Sequence, residues 1–150
     1  MRKPFFVAFE CADATRLARL QGVFAALKAA KETARPFAHK GAYWRSLFDA
    51  ASLEHFANAG RPSNWIARLR SSLAPILRSS APAYADRPWD FDSMIYAFEN
   101  GEYGLVSCAE VTPSVARLEF EPHSWPYGGF GCMVALIESF GFAVTDVPDI

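Results

Sequence analysis

The chain has 150 residues, of which 51% are hydrophobic and 21% are charged. This composition argues against disordered, collagen-like and membrane-spanning classes and fits a single globular domain over residues 1–150. The three cysteines, Cys11, Cys108 and Cys132, are odd in number and lack a C-x-x-C pair. We therefore expect neither a secreted disulfide framework nor a zinc knuckle. No targeting segment is recognised and no disulfide framework is expected, so the sequence predicts a cytoplasmic protein. Neither a metal nor a cofactor is expected.

The net charge of −1 conceals a division between two halves. Residues 1–80 carry 13 basic and 5 acidic side chains, whereas residues 81–150 carry 2 basic and 11 acidic ones. Such segregation serves either attraction between two parts of one fold or steering of an oppositely charged partner, and the sequence leaves both open. A nucleic-acid-binding domain is expected to be basic overall, so nucleic acid is disfavoured as the main partner.

The first half predicts a strand followed by helices. Lys3 to Glu10 is rich in β-forming residues, and Asp13 is placed to cap a helix over Ala14 to Thr33. A second helix is expected from about Ala42 to Asn58. Five of its side chains are expected to point inward, namely Trp44, Leu47, Phe48, Ala51 and Phe56.

The middle of the chain predicts two more helices around a connection. A third helix, capped by Ser63 or Asn64, is expected to kink or end near Pro75. The run from Ser79 to Pro88 is typical of a connecting segment. A short helix from Ser93 to Glu99 is then expected, with Asp92 as its cap and Gly101 as a left-handed residue after it.

Two strands, Glu102 to Val111 and Val115 to Glu121, predict a β-hairpin around Pro113 and Ser114. If residue 112 pairs with 115, Ser107, Ala109 and Val111 share the core face with Ala116, Leu118 and Phe120. The other face then places Glu110 beside Arg117 as an ion pair, Cys108 beside Glu119 and Val106 beside Glu121. A slip of one residue would reverse the two faces.

The chain is expected to close with a helix from Cys132 to Phe140, capped by Gly141, and a strand from Phe142 to Val147. The order of elements predicts an α+β fold. A small antiparallel sheet is covered on one face by helices, and the N-terminal half is rich in helix.

Cys132 is the strongest catalytic candidate, because it falls in the first turn of a helix, where a thiol pKa is lowered. His123 could act as its base and Asp92 or Glu121 could orient that base, as in a thiol-dependent hydrolase or transferase. The competing interpretation is that Cys132 is a small buried hydrophobic residue. The three histidines lack metal-binding spacing, and the glycines near Cys132 lack a phosphate-binding motif.

Carboxylates and aromatic residues recur together in the acidic half. Asp90 and Asp92 form one pair, and Glu119 and Glu121 form another on one face of a strand, about 6.5–7 Å apart. Aromatic residues beside carboxylates favour a protein-binding face for a basic partner over a nucleic-acid platform. The aromatic and glycine-rich loop at 122–131 is a further candidate, as a binding site for a small ligand.

Part of the last third of the chain resembles immunity proteins of polymorphic or contact-dependent growth-inhibition toxins in bacteria. The resemblance lies in Gly101-Glu102-Tyr103, Val106-Ser107-Cys108, Ala116 to Pro122, Tyr127-Gly128-Gly129 and Ala135 to Gly141. It implies a non-catalytic cytosolic protein that blocks a cognate toxin, often a basic nuclease. Charge and aromatic content suggest the partner-binding residues, which are Trp89, Asp90, Asp92, Glu119, Glu121, Trp125 and Tyr127.

Overall fold

The computed structural model describes residues 5–33, 37–38, 41–57, 89–124 and 129–148. Within these residues the chain forms five helices and a four-stranded antiparallel sheet, which confirms the α+β class. In chain order the elements are β1 Phe5–Glu10, α1 Ala14–Thr33, α2 Gly41–Ser46, α3 Ala50–Ala57, α4 Phe91–Asn100, β2 Tyr103–Thr112, β3 Val115–Pro122, α5 Gly131–Ser139 and β4 Val144–Asp146.

The sheet has the strand order β2-β3-β1-β4, so the first strand of the chain lies in its interior. Val7 of β1 pairs with Leu118 of β3, and Ala8 pairs with Arg117 on one side and with Asp146 of β4 on the other. The three-residue β4 and the hairpin strand β2 are therefore the two edges.

One face of the sheet forms the floor of the hydrophobic core. Val7, Phe9, Leu118 and Phe120 are completely buried and belong to the same core cluster as side chains of α1, α3, α4 and α5. Ala8 is also buried but lies on the opposite face, outside that cluster. The alternation of a strand thus separates a helix-covered face from a second face that bears Ala8.

The first helix follows the sequence prediction, and the second does not. Asp13 caps α1 by accepting hydrogen bonds from the backbone N–H groups of Thr15 and Arg16, at 3.0 and 3.1 Å. The single helix expected over 42–58 is wrong, because Asp49 interrupts it and starts α3 by accepting the N–H of Ser52 at 2.8 Å. Trp44, Phe48 and Phe56 are buried as expected, Leu47 is half-buried, and Ala51 is exposed.

The ends of α4 and α5 show two different uses of glycine. Asp90, and not Asp92, caps α4 by accepting the N–H of Ser93 at 2.6 Å. Gly101 after α4 has φ −67° and ψ 137°, so the expected left-handed conformation is wrong. Its missing side chain instead makes room for the Tyr103 ring, since a Cβ would lie 2.0 Å from Tyr103 Cε1. Gly141 after α5 does have a positive φ, 86°, as predicted.

The hairpin forms with Thr112 opposite Val115, but the expected facing of β2 is wrong between residues 107 and 110. Bulges at Val106 and Val111 each add a residue to β2. Cys108 therefore lies opposite Leu118 on the core face, and Ser107 lies opposite Glu119 on the other face. Glu110 faces Ala116, so the predicted Glu110–Arg117 ion pair is absent, and Gly104 rather than Val106 lies opposite Glu121. The predicted faces of β3 are confirmed.

The third helix predicted around Pro75 and the connection from Ser79 to Pro88 lie outside the described residues. In the part of the chain that is described, no helix is both long enough and apolar enough to cross a membrane.

Candidate functional site

The sheet face opposite the core, which we call the acidic face, collects charged side chains from three strands. It is formed by Phe6, Ala8 and Glu10 of β1, Gly104, Ser107 and Ala109 of β2, Arg117, Glu119 and Glu121 of β3, and Asp146 of β4. Four of these side chains are carboxylates and one is basic. Glu10, Glu121 and Asp146 are exposed, and Glu119 is half-buried.

Strand geometry fixes the spacing of these charges around Arg117. Glu119 follows Arg117 by two residues on β3, which separates their Cα atoms by about 6.5–7 Å. Asp146 shares a row with Arg117, with Ala8 between them, so two strand spacings of about 4.8 Å separate the two Cα atoms. The carboxylates therefore surround Arg117 within the reach of a single docked surface.

Arg117 is held by an aromatic ring and not by a carboxylate. Its guanidinium carbon lies 4.2 Å from the centre of the Phe6 ring. Its direct neighbours across the sheet are Ala8 and Ala109, which carry only methyl groups. Among the described residues, no carboxylate lies within 4 Å of the guanidinium.

A second group of predicted residues lies at the start of α4. The half-buried Trp89 packs so closely on the helix start of α5 that a Cβ at Gly131 would lie 2.8 Å from its Cζ2. Hydrogen bonds from Ser93 lower the pKa of Asp90, the helix cap. Asp92 is exposed and forms an ion pair with Arg45 at 3.3 Å. Both carboxylates of this pair already have partners within the protein.

The structure therefore divides the predicted partner-binding residues into two groups. Helix α4 buries Phe91, Met94 and Phe98 in the core, which places Trp89, Asp90 and Asp92 on the helical side of the sheet. Glu119 and Glu121 lie on the acidic face, on the other side. Trp125 and Tyr127 lie outside the described residues.

A shallow groove of about 560 Å³ runs along α4 from Trp89 past Tyr96 to Gly101. Its lining is mostly apolar, and the one carboxylate that the described residues contribute is Asp92, which forms an ion pair with Arg45. This arrangement does not assemble an acid and a base for catalysis.

Cys132 lies in the first turn of α5, as predicted, but in surroundings that do not suit a nucleophile. The residue is 2% exposed, and burial raises the pKa of its thiol to about 12. Its Sγ lies 3.1 Å from the hydroxyl of Tyr103, with which it shares a hydrogen bond. His123 is exposed at the end of β3, where its backbone N–H bonds the carbonyl of Glu102. A reactive thiolate requires a lowered pKa and access to substrate, and Cys132 has neither.

The other two thiols are also buried. Burial is the main cause of both shifts: it raises the pKa of Cys108 to about 12, and it also raises the pKa of Cys11. Among the described residues, no three His, Cys, Asp or Glu side chains are grouped closely enough to hold a metal ion.

No protein-family model, curated protein or solved structure matches this chain. The sequence indicates Glu119 and Glu121 as site residues but gives no sign that Phe6, Glu10 and Asp146 lie on the same face. Their proximity depends on the position of β1 between β3 and β4, which no local pattern in the sequence indicates.

Proposed function

We propose that this chain is a non-catalytic binding protein for a basic protein partner, which docks on the acidic face. The observation that carries the proposal is the placement of Glu10, Glu119, Glu121 and Asp146 on one sheet face around Arg117. A surface of one dominant sign accelerates the encounter with an oppositely charged protein and rejects partners of the same sign.

The shape and chemistry of the acidic face support a protein partner rather than a small molecule. Along the edge strand β2 the face carries Ser107 and Ala109, whose short side chains allow another backbone or helix to approach closely. Phe6 adds a half-buried aromatic surface beside the charges. Aromatic anchors surrounded by charged residues are typical of protein interfaces.

The burial of Cys132 weighs against the alternative of a thiol-dependent hydrolase or transferase. The resemblance of the C-terminal third to immunity proteins suggests which kind of binding protein the chain is. On this proposal the chain is cytoplasmic and neutralises a cognate basic toxin, of the nuclease type, by covering the toxin's functional surface.

The test begins with the protein encoded by the neighbouring open reading frame, co-purified with the tagged full chain. Its dissociation constant is then measured by titration calorimetry at low and moderate salt. The double reversal Glu119→Lys/Glu121→Lys is expected to weaken binding by at least tenfold at low salt and by less at moderate salt, because salt screens exposed charges.

The matched control is Glu32→Lys/Glu54→Lys, which changes the net charge equally but on α1 and α3, away from the acidic face. We expect it to change the dissociation constant less than threefold. If both double variants weakened binding of the partner equally, the cause would be the change in net charge and not the acidic face. Unchanged binding in Glu119→Lys/Glu121→Lys would refute the acidic face as the docking surface.

A further inference from the structure

Arg117 is a conspicuous exception on the acidic face. It is one of only two basic residues in the acidic half of the chain. It lies between Ala8 and Ala109 in one cross-strand row, among the carboxylates of the face but in contact with an aromatic ring. The residue as a whole is half-buried, and no carboxylate of the described residues forms an ion pair with it.

Within the described parts of the chain, the Arg117 side chain contacts the Phe6 ring and donates no hydrogen bond. An aromatic ring engages the face of a guanidinium, whereas the five N–H donors lie along its edge. Ala8 and Ala109 offer no side-chain acceptor to those donors. Stacking also restricts the rotamers of a long side chain, so less entropy is lost when the donors bind a ligand.

The geometry points to Arg117 as the binding site for a carboxylate side chain that the basic partner carries within its docking surface. This inference rests on the proposed function, because it names a feature of the partner on the same face. The partner would present one Asp or Glu to Arg117 and surround it with Lys or Arg that face Glu119 and Asp146. Phe6 acts as a positioning residue that holds the guanidinium in place.

The surrounding charges favour a carboxylate over a phosphate. Four carboxylates lie on the acidic face with Arg117. They repel a phosphate group, with its charge near −2, more strongly than a carboxylate on an otherwise basic surface. A planar carboxylate also matches the two parallel N–H groups of a guanidinium.

Two short peptides imitate the proposed partner surface, which has one carboxylate among basic residues. Both alternate lysine and alanine and have blocked termini, and they carry either glutamate or glutamine at the centre. Binding to the full chain is followed by NMR, including the Nε–H signal of Arg117. The glutamate peptide adds an ion pair to Arg117, so we expect it to bind about threefold to fivefold more tightly than the glutamine peptide despite its lower positive charge.

Substitutions separate recognition from a merely structural role of the arginine. Arg117→Gln is expected to abolish the preference for the glutamate peptide and to tighten binding of the glutamine peptide, because a positive charge is removed. Phe6→Leu keeps an apolar strand residue but removes the ring, and we expect it to reduce the preference. Arg19→Gln removes the same charge from the exposed side of α1 and is expected to leave the preference unchanged.

Ala109→Glu tests the same role by adding a carboxylate beside Arg117 instead of removing the arginine. It places a carboxylate directly opposite Arg117 on β2, where it can form the cross-strand ion pair that the bulge at Val111 prevents. The added negative charge should tighten binding of both lysine peptides, whereas occupation of Arg117 should remove the preference between them.

The outcomes distinguish the inference from the proposed function. Equal binding of the two peptides to the natural chain, with both weakened by Glu119→Lys/Glu121→Lys, overturns the role of Arg117 and leaves the acidic docking face intact. Binding of neither peptide overturns both. A shift of the Arg117 Nε–H signal by inorganic phosphate larger than that by the glutamate peptide would overturn the choice of a carboxylate.

Discussion

Replacement of Gly101 by alanine tests how tightly the start of β2 packs on α4. The added methyl group would lie 2.0, 2.5 and 2.8 Å from Cε1, Cζ and Cδ1 of Tyr103. Tyr103 is 1% exposed, and its hydroxyl bonds Cys132 Sγ at 3.1 Å. Overpacking of about 1–3 kcal/mol and a disrupted hydrogen bond of about 1 kcal/mol give an expected loss of about 2–4 kcal/mol in the free energy of unfolding.

The assay is urea denaturation followed by circular dichroism, arranged as a double-mutant cycle with Tyr103. Tyr103→Val removes the atoms that clash, so Gly101→Ala should cost less than about 1 kcal/mol in that background. Tyr103→Phe keeps the ring and should give no such relief. Gly141→Ala is the control, since its cost of about 1–2 kcal/mol arises from a positive φ and should not depend on Tyr103. Additive effects of Gly101→Ala and Tyr103→Val would refute the packing explanation.

Three further predictions concern the helix termini and the thiols. The Arg16 side chain donates hydrogen bonds to the carbonyl of Phe140 at 2.6 Å, to Asp49 at 2.9 Å and to Ser52 at 3.1 Å. Arg16→Met should therefore lower the free energy of unfolding, measured in urea, by about 2–3 kcal/mol. The control Arg19→Met should lower it by about 0.5 kcal/mol or less. Asp90→Ala removes the cap of α4 and should cost about 1 kcal/mol, whereas Asp92→Ala should cost about 0.5 kcal/mol or less. Because hydrogen bonds lower the pKa of Asp90, its contribution is complete above the ordinary carboxyl pKa and disappears as the pH falls through the folded value, so Asp90→Ala should show a shallower acid loss of stability than the natural chain. The three buried thiols should react with iodoacetamide at neutral pH far more slowly in the native protein than in guanidinium chloride; a rapid reaction of Cys132 in the native state would revive the thiol-enzyme alternative.

The sequence predicted correctly those features that depend only on residues close together along the chain. Asp13 supplies the cap of α1 to the N–H groups two and three residues later, and Gly141 supplies the positive φ after α5. The turn around Pro113 and Ser114 also formed as predicted, with Thr112 opposite Val115. Each of these features is determined within a few residues.

Long-range contacts caused the errors in the helices. The sequence from 42 to 58 has helical spacing throughout, but Asp49 binds Arg16 of α1 and caps α3. Burial raises the pKa of Asp49, but hydrogen bonds from Ser52 and the charge of Arg16 outweigh it and hold that pKa below its ordinary value. An N-cap residue has a non-helical backbone, so this arrangement ends the helical path before Asp49. Nothing near Asp49 in the sequence reveals Arg16 as its partner.

Prediction of the candidate site required both the local alternation of a strand and the strand order of the sheet. The alternation of β3 predicted that Arg117, Glu119 and Glu121 share a face, and that prediction is confirmed. The additions from β1 and β4 required the strand order, because Ala8 brings Asp146 into the same row as Arg117. The sequence therefore indicated one strand of the acidic face, and the fold supplied the others.

The bulge at Val111 links the largest error in the sheet to the chemistry of the site. In a regular register, Glu110 would lie opposite Arg117 and neutralise it, and Ala109 would lie on the core face. One extra residue in β2 moves Glu110 to the other face and leaves Ala109 beside the guanidinium. Bulges near functional sites commonly redirect a side chain in this way. In a regular register Arg117 would be a structural counter-ion of the hairpin. The shifted register instead places Ala109 opposite its side chain, and the recognition role proposed for Arg117 rests on that placement.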